Sequence, residues 1–217
     1  GLGDVYKRQI DARLIEEIVD EIYKFKTDIK EFTIETNPNS LDKEKLETYK
    51  KIGINRISLG VQSFDDRVLK NIGRNHTRER ALRDIDLIRE AGFKNLSFDL
   101  MLNLPGQDLD SVKKDLDFVK KINPDHISWY SLILDKGSRF YALDRQGKLD
   151  LMDSDLEVDI FDIIIDELAK LKLNRYEISN FAKQGFESLH NKKYWNGEGY
   201  FGFGLGASGY LSNTRYS

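Results

Sequence analysis

Leu96-Ser-Phe-Asp-Leu-Met-Leu102 is followed by Asn103-Leu-Pro-Gly106, then by Leu109 to Ile122, then by His126-Ile-Ser-Trp-Tyr-Ser-Leu132. The first run is apolar and short, and it predicts a strand closed by a sharp turn at Leu104-Pro105-Gly106. Leu109 to Ile122 places apolar residues at helical spacing, and His126 to Leu132 is a second strand. A strand joined to a strand through a helix of that length makes a parallel pair, because a tight hairpin is excluded.

Working outward, the same unit repeats. Upstream, Ile10 to Lys26 carries Leu14, Ile15, Ile18, Val19, Ile22 and Tyr23 at helical period. Phe32 to Thr36 is a strand, and Ser40 is expected to cap a helix over Leu41–Lys51, with Glu44 near a capping position. Arg56 to Val61 is a strand, and Asp65 to Asn71 a short helix. Thr77 caps a helix to Glu90 that Gly92 stops. Downstream, Asp153 to Leu171 is a long helix and Tyr176 to Ser179 a brief strand. The alternation predicts an α/β fold with a parallel sheet, its strands apolar enough to be covered on both faces.

Polar groups sit near the ends of successive strands: Glu35, then Gln62 and Ser63, then Asp99, then Tyr130 and Ser131. Chemistry in β/α barrels collects at the C-terminal ends of the strands, so this series favours a barrel or part-barrel over an open dinucleotide-binding sheet. Each residue also has a plainer reading. Asn37-Pro38 explains a turn by itself, Ser63 suits a helix start, and Arg74 in Gly73-Arg-Asn-His76 suits a solvated loop. Asp99 inside an apolar strand is harder to explain as surface, since a buried carboxylate needs a cavity or a partner. His190 is followed by Tyr194 and Trp195, a set that suits ligation of haem iron and packing on a porphyrin face; a satisfied structural histidine is the alternative. Gly204-Leu-Gly-Ala-Ser-Gly209 matches G-x-G-x-x-G but opens no βαβ unit, so it is read as close backbone packing.

The chain has 217 residues, a net charge of −3, 40% hydrophobic and 33% charged residues, and no cysteine. That is a globular composition without an apolar run of about 18 residues, so no membrane span is expected. Near-balanced charge supplies no drive toward nucleic acid. The absence of cysteine excludes disulfides, cysteine nucleophiles and any cluster ligated by cysteines of this chain. Residues 1–9 have no period and read as a non-native scar, and the C-terminal residues end without a closing element. The expectation is an internal fragment, with residues 10–175 a partial barrel and 176–217 the barrel end plus the start of a further region.

These motifs resemble those of a known family. Glu35-Thr-Asn-Pro38, Gly60-Val-Gln-Ser-Phe64, Gly73-Arg-Asn-His76, Phe98-Asp-Leu100 with Leu104-Pro-Gly-Gln107, and His126-Ile-Ser-Trp-Tyr130 are similar to the core of radical SAM proteins related to oxygen-independent coproporphyrinogen III oxidase. Tyr176 to Ala182 and His190-Asn-Lys-Lys-Tyr-Trp195 resemble the branch described as haem chaperones. The resemblance spans about residues 32–210 and implies a partial, truncated TIM-type (β/α)6 barrel, S-adenosylmethionine (SAM), a [4Fe–4S] cluster and haem. By matching positions it implies Glu35, Gln62, Arg74, Asp99 and Ser131 as SAM contacts. It implies His190, Tyr194 and Trp195 as the haem segment, with His190 the iron ligand.

The family holds its cluster with CxxxCxxC, which this chain lacks; the resemblance puts that motif, and a glycine-rich SAM segment, upstream of Gly1. The function implied is a cytoplasmic haem-binding chaperone that delivers haem to haem-requiring proteins, with no nucleic-acid partner, no membrane span and a homodimer left open. The alternative within the family is oxidative decarboxylation of coproporphyrinogen III to protoporphyrinogen IX. Outside it, a barrel lyase would use Asp99 and Glu35 as acid and base.

Overall fold

A computed structural model of the chain describes residues 10–25 and 28–216. The stretch read as a scar, and Lys26 at the end of the first expected helix, lie outside the described residues. The elements in order are α1 (Ala12–Tyr23), β1 (Thr33–Thr36), α2 (Lys43–Lys51), β2 (Arg56–Gln62), α3 (Asp66–Asn71), α4 (Arg78–Glu90), β3 (Asn95–Leu102), α5 (Leu109–Ile122), β4 (His126–Ser131), α6 (Arg139–Asp144), α7 (Ser154–Lys170), β5 (Asn174–Arg175), β6 (Asn180–Ala182), α8 (Leu189–Trp195), β7 (Gly209–Leu211) and β8 (Thr214–Tyr216).

The chain forms two compact units, one ending at Phe186 and one comprising Glu187–Ser217. In the first, a six-stranded sheet has the order β1-β2-β3-β4-β6-β5. β1 to β4 are parallel neighbours, as the repeated βαβ pattern requires. β6 then pairs antiparallel with β4, and β5 antiparallel with β6. Tyr176–Ser179 is therefore not a strand. It is the bend between two very short strands, and the Glu177 side chain accepts from the Ser179 N–H at 3.0 Å to hold that bend. The β-prone residues there misdirect a local reading, because a chain reversal and not a ladder satisfies their backbone.

Helix starts follow side-chain capping. Thr77, Asp108 and Asp153 each accept from a backbone N–H of the first turn. The second helix begins at Lys43 and not Leu41, because Asp42 caps it through the Lys45 N–H. Ser40 instead closes the preceding turn by donating to the Asn37 carbonyl at 2.5 Å. The short helix α6 and the helix α8 carry no long apolar period, and the sequence reading missed both.

The two faces of the sheet are chemically distinct. Ile57, Leu59, Leu96, Phe98, Leu100, Leu102, Ile127, Trp129 and Phe181 are fully buried. They form one core with Ile85 and Ile88 of α4, Leu116 and Val119 of α5, and Ile160, Ile164 and Leu168 of α7. Burial of each such large side chain stabilises the fold by about 1.5–3 kcal/mol. Strand alternation sends the intervening residues to the other face: Arg56 and Ser58, Ser97 and Asp99, His126, Ser128 and Tyr130. Every residue of β2 is buried, so that strand is covered on both faces as expected. The second face is polar, which is the pattern of a strand that packs helices outside and lines a site inside.

In the second unit, Ser188 caps α8 by accepting from the Asn191 N–H. β7 and β8 form a hairpin whose two turn residues, Ser212 and Asn213, both have positive φ.

Candidate functional site

At the C-terminal ends of the parallel strands, three of the quoted motifs meet at Gly60. A Cβ placed on Gly60 would stand 2.9 Å from Asn37 Oδ1, 3.1 Å from Gln62 Nε2 and 3.5 Å from Arg74 Nη2. A Cβ here would force the Asn37 and Gln62 side-chain ends to shift, while Arg74 stands at ordinary contact distance. Arg74 also donates to the Gly60 carbonyl at 3.4 Å.

The placement of these groups is built by the loops. β2 slips register against β3 between Leu59 and Gln62, and Gln62 adopts φ of 70°. The bulge turns Gln62 toward the polar side, where its Oε1 accepts from the Tyr130 hydroxyl at 3.3 Å. Arg74 is set by its neighbours. The Asn75 carbonyl accepts from Asn39 Nδ2 at 3.1 Å, and buried His76 bonds the Val61 carbonyl at 3.1 Å. A carbonyl only accepts, so His76 Nε2 carries the proton. Asn39 is held in turn, its N–H donating to Asp84 of α4 at 2.8 Å.

Asp99 is half-buried on the same polar face and accepts from Ser58 Oγ at 3.1 Å. Burial raises its carboxyl, opposed by the Ser58 and Ser128 hydroxyls and reinforced by the Glu35 charge. Glu35 lies on β1 in register with Ser58 and is exposed. Ser131 is in register with Leu102 and, by alternation, takes the face of Ile127 and Trp129. The structure thus gathers Gln62, Arg74 and Asp99 with Glu35 on the polar side, and puts Tyr130 there in place of Ser131.

A second polar group at the N-terminal ends of the strands escaped the sequence reading. His126 is fully buried, with Nδ1 2.8 Å from Ser97 Oγ and Nε2 2.8 Å from the Tyr176 hydroxyl. Burial, and then the nearby Arg56 charge, hold its imidazole well below the usual histidine range. Arg56 lies 3.8 Å from Glu31 and donates to the Phe186 carbonyl at 3.3 Å. The signal was present as period-two polarity in Arg56-x-Ser58, Ser97-x-Asp99 and His126-x-Ser128-x-Tyr130.

In the second unit, α8 brings His190 and Tyr194 together one helical turn apart, ring centroids 4.6 Å apart. Tyr194 contacts Tyr200 at 4.3 Å, and Tyr200 contacts Tyr210 at 6.1 Å. Trp195 is exposed.

A parallel β/α sheet with a polar rim of carboxylates, an amide and a guanidinium at its strand ends is the arrangement of a β/α barrel-type fold. Residues 6–119 match the Radical SAM superfamily, and the chain belongs to that superfamily. It is 41% identical over 199 residues to the heme chaperone HemW of Bacillus subtilis, covering 92% of this chain and 52% of that protein. It is 43% identical over 188 residues to the heme chaperone HemW of Lactococcus lactis, covering 87% and 50%. The chain thus spans about half the length of the curated relatives it matches. The solved structure of coproporphyrinogen III oxidase (HemN) from Escherichia coli superposes with a TM-score of 0.76 at 21% identity, covering 92% of this chain and 49% of that one. That likeness is one of fold, and it agrees with a partial TIM-type barrel.

Membership implies SAM and a [4Fe–4S] cluster. The rim fits SAM. A guanidinium suits its carboxylate, carboxylates suit its amine and ribose hydroxyls, and Gly60 lets Asn37, Gln62 and Arg74 converge in one cradle. The cluster does not fit this chain, which has no cysteine thiolate to hold it. Among the described residues, no helix is long and apolar enough to cross a membrane.

Proposed function

We propose that this chain is the SAM-binding and haem-contacting part of a haem chaperone that passes haem to haem-requiring proteins. The observation that carries the reading is its 41–43% identity, over most of the chain, to proteins named heme chaperone HemW. On this reading Arg74 takes the SAM carboxylate, Glu35 and Asp99 take amine and ribose hydroxyls, and Gln62 bonds as both donor and acceptor. Ser131 contributes no side chain to that face. His190 ligates haem iron, with Tyr194 and Trp195 packing on the macrocycle. Delivery to an acceptor protein, a cytoplasmic setting and the oligomeric state belong to the same proposal.

The test is a haemin titration followed at the Soret band, wild type beside His190→Ala, with circular dichroism on both. Saturable binding that His190→Ala weakens is expected. A folded wild-type chain that binds no haemin would overturn the assignment of the haem segment to this chain. Coproporphyrinogen III oxidation is the second reading. The likeness to that enzyme, at 21% identity, is one of fold and leaves this reading behind the chaperone.

A further inference from the structure

We propose that Asp115 of α5 is a positioning residue that aims Gln62 at its ligand, acting through the turn at Ser63–Asp65; the proposal rests on the SAM reading of the rim. Asp115 is fully buried in the apolar layer between sheet and helices, and no step of the proposed function uses its carboxylate. A carboxylate there is retained only if bonded well. Its Oδ1 accepts from the Phe64 N–H at 2.5 Å, and the Ser63 hydroxyl lies 3.1 and 3.0 Å from its two oxygens. Ser63 Oγ then accepts from the Asp65 N–H at 3.0 Å. Three successive residues are thereby fastened to one helix side chain.

The residue just before them is Gln62, a non-glycine residue at φ of 70°. Such a conformation persists where its surroundings over-determine it. On one side Gln62 is paired in β2 with Leu100, and on the other it runs into the fastened turn. With both flanks fixed, its side chain points to Gly60 and Tyr130 and not into solvent. The same device recurs one loop away. Asn39 has φ of 76°, and its N–H donates to Asp84, a buried carboxylate on α4. Two rim loops with positive-φ residues are each tied to a buried aspartate of a flanking helix.

The experiment uses the full chain labelled with 15N. Amide exchange at Gln62–Asp65 and the Gln62 side-chain NH2 resonance are followed in wild type, Asp115→Ala, Asp115→Asn, Ser63→Ala and Gln62→Ala, with SAM affinity measured by calorimetry. In Asp115→Ala the exchange at Phe64 and Asp65 should accelerate about tenfold or more while Ser97–Leu100 of β3 stays protected. SAM affinity should fall about as far as in Gln62→Ala, and the double variant should lose little more, since both act through one side chain. Asp115→Asn keeps an acceptor for the Phe64 N–H and should fall between. Uniform acceleration through β3, unchanged exchange in the turn, or additive losses in the double variant would each overturn the proposal. If Asp115→Ala does not fold, Asp115→Asn and Ser63→Ala carry the same comparison. If wild type binds no SAM while Asp115→Ala loosens the turn and displaces the Gln62 resonance, the ligand reading is overturned and the positioning role is supported.

Discussion

His76 Nε2 lies 3.1 Å from the Val61 carbonyl, so the loop that carries Arg74 is bolted to the strand that ends in Gln62. Both partners are buried, and loss of one leaves the other without its bond. His76→Ala should destabilise the fold by about 1–3 kcal/mol in urea unfolding and also weaken SAM binding. His76→Gln should recover part of both. An unchanged SAM affinity in His76→Ala would sever the link drawn between this contact and Arg74.

Gly60→Ala tests the cradle directly. The new methyl would stand 2.9 Å from Asn37 Oδ1, closer than real contacts allow, and a tight 3.1 Å from Gln62 Nε2. The obstructing groups are side-chain ends that face the site, so the fold should survive while SAM affinity falls at least tenfold. Wild-type affinity in a folded Gly60→Ala would show that these side chains do not meet the ligand.

Asp99 predicts a pH dependence of binding. Burial raises its carboxyl, first among the causes, and protonation removes the negative charge that strengthens its bonds to an amine or a ribose hydroxyl. SAM affinity should therefore fall as pH drops through that raised value. In Asp99→Asn the affinity should be lower at neutral pH and lose most of this slope. Calorimetry between pH 4 and 8 reads both.

Asp115 predicts a pH dependence of stability of the opposite kind to that of a paired surface carboxylate. Burial pushes its carboxyl up to about 7, with the Phe64 N–H and the Ser63 hydroxyl opposing, Asp65 reinforcing and Lys114 opposing. The folded state then binds a proton more tightly than the unfolded chain. Its contribution is full below the usual carboxylate range and is lost as pH rises to about 7. Urea unfolding should show wild type losing stability across that window relative to Asp115→Asn, by on the order of a few kcal/mol. Parallel curves for the two proteins would refute it.

Trp129 is fully buried on the helix side of β4, and its Nε1 has no hydrogen-bond partner among the described residues. Trp129→Phe removes that unsatisfied donor while keeping an aromatic ring, so the lost volume is partly offset. Its cost should stay near or below about 1.5 kcal/mol, against about 3–5 kcal/mol for Trp129→Ala. A Phe variant as damaged as the Ala variant would show that the donor has a partner in solution.

Much of the first unit could be read locally. The Leu109–Ile122 helix and the Thr77 cap depend on periodicity and on a side chain reaching a nearby N–H. Where local signals competed, the reading failed. Ser40 and Asp42 both suit a cap, and only the turn geometry gives the helix to Asp42 and the Asn37 carbonyl to Ser40. Tyr130 and Ser131 are adjacent polar residues at a strand end, and pairing with Met101 and Leu102 decides that Tyr130 faces the site. His126 and Tyr176 are 50 residues apart, and nothing local joins them.

By itself the sequence determined that strands alternate with helices, that polar groups recur near the ends of successive strands, and that no cysteine is present. Those properties reside in the spacing and identity of residues along the chain. Only the tertiary structure decided that Asn37, Gln62 and Arg74 converge on Gly60. That convergence depends on strand register, on the slip between Leu59 and Gln62, and on buried His76 and Asp115 holding two loops. Such contacts form between residues distant in sequence, so their direction is set by packing and not by local preference.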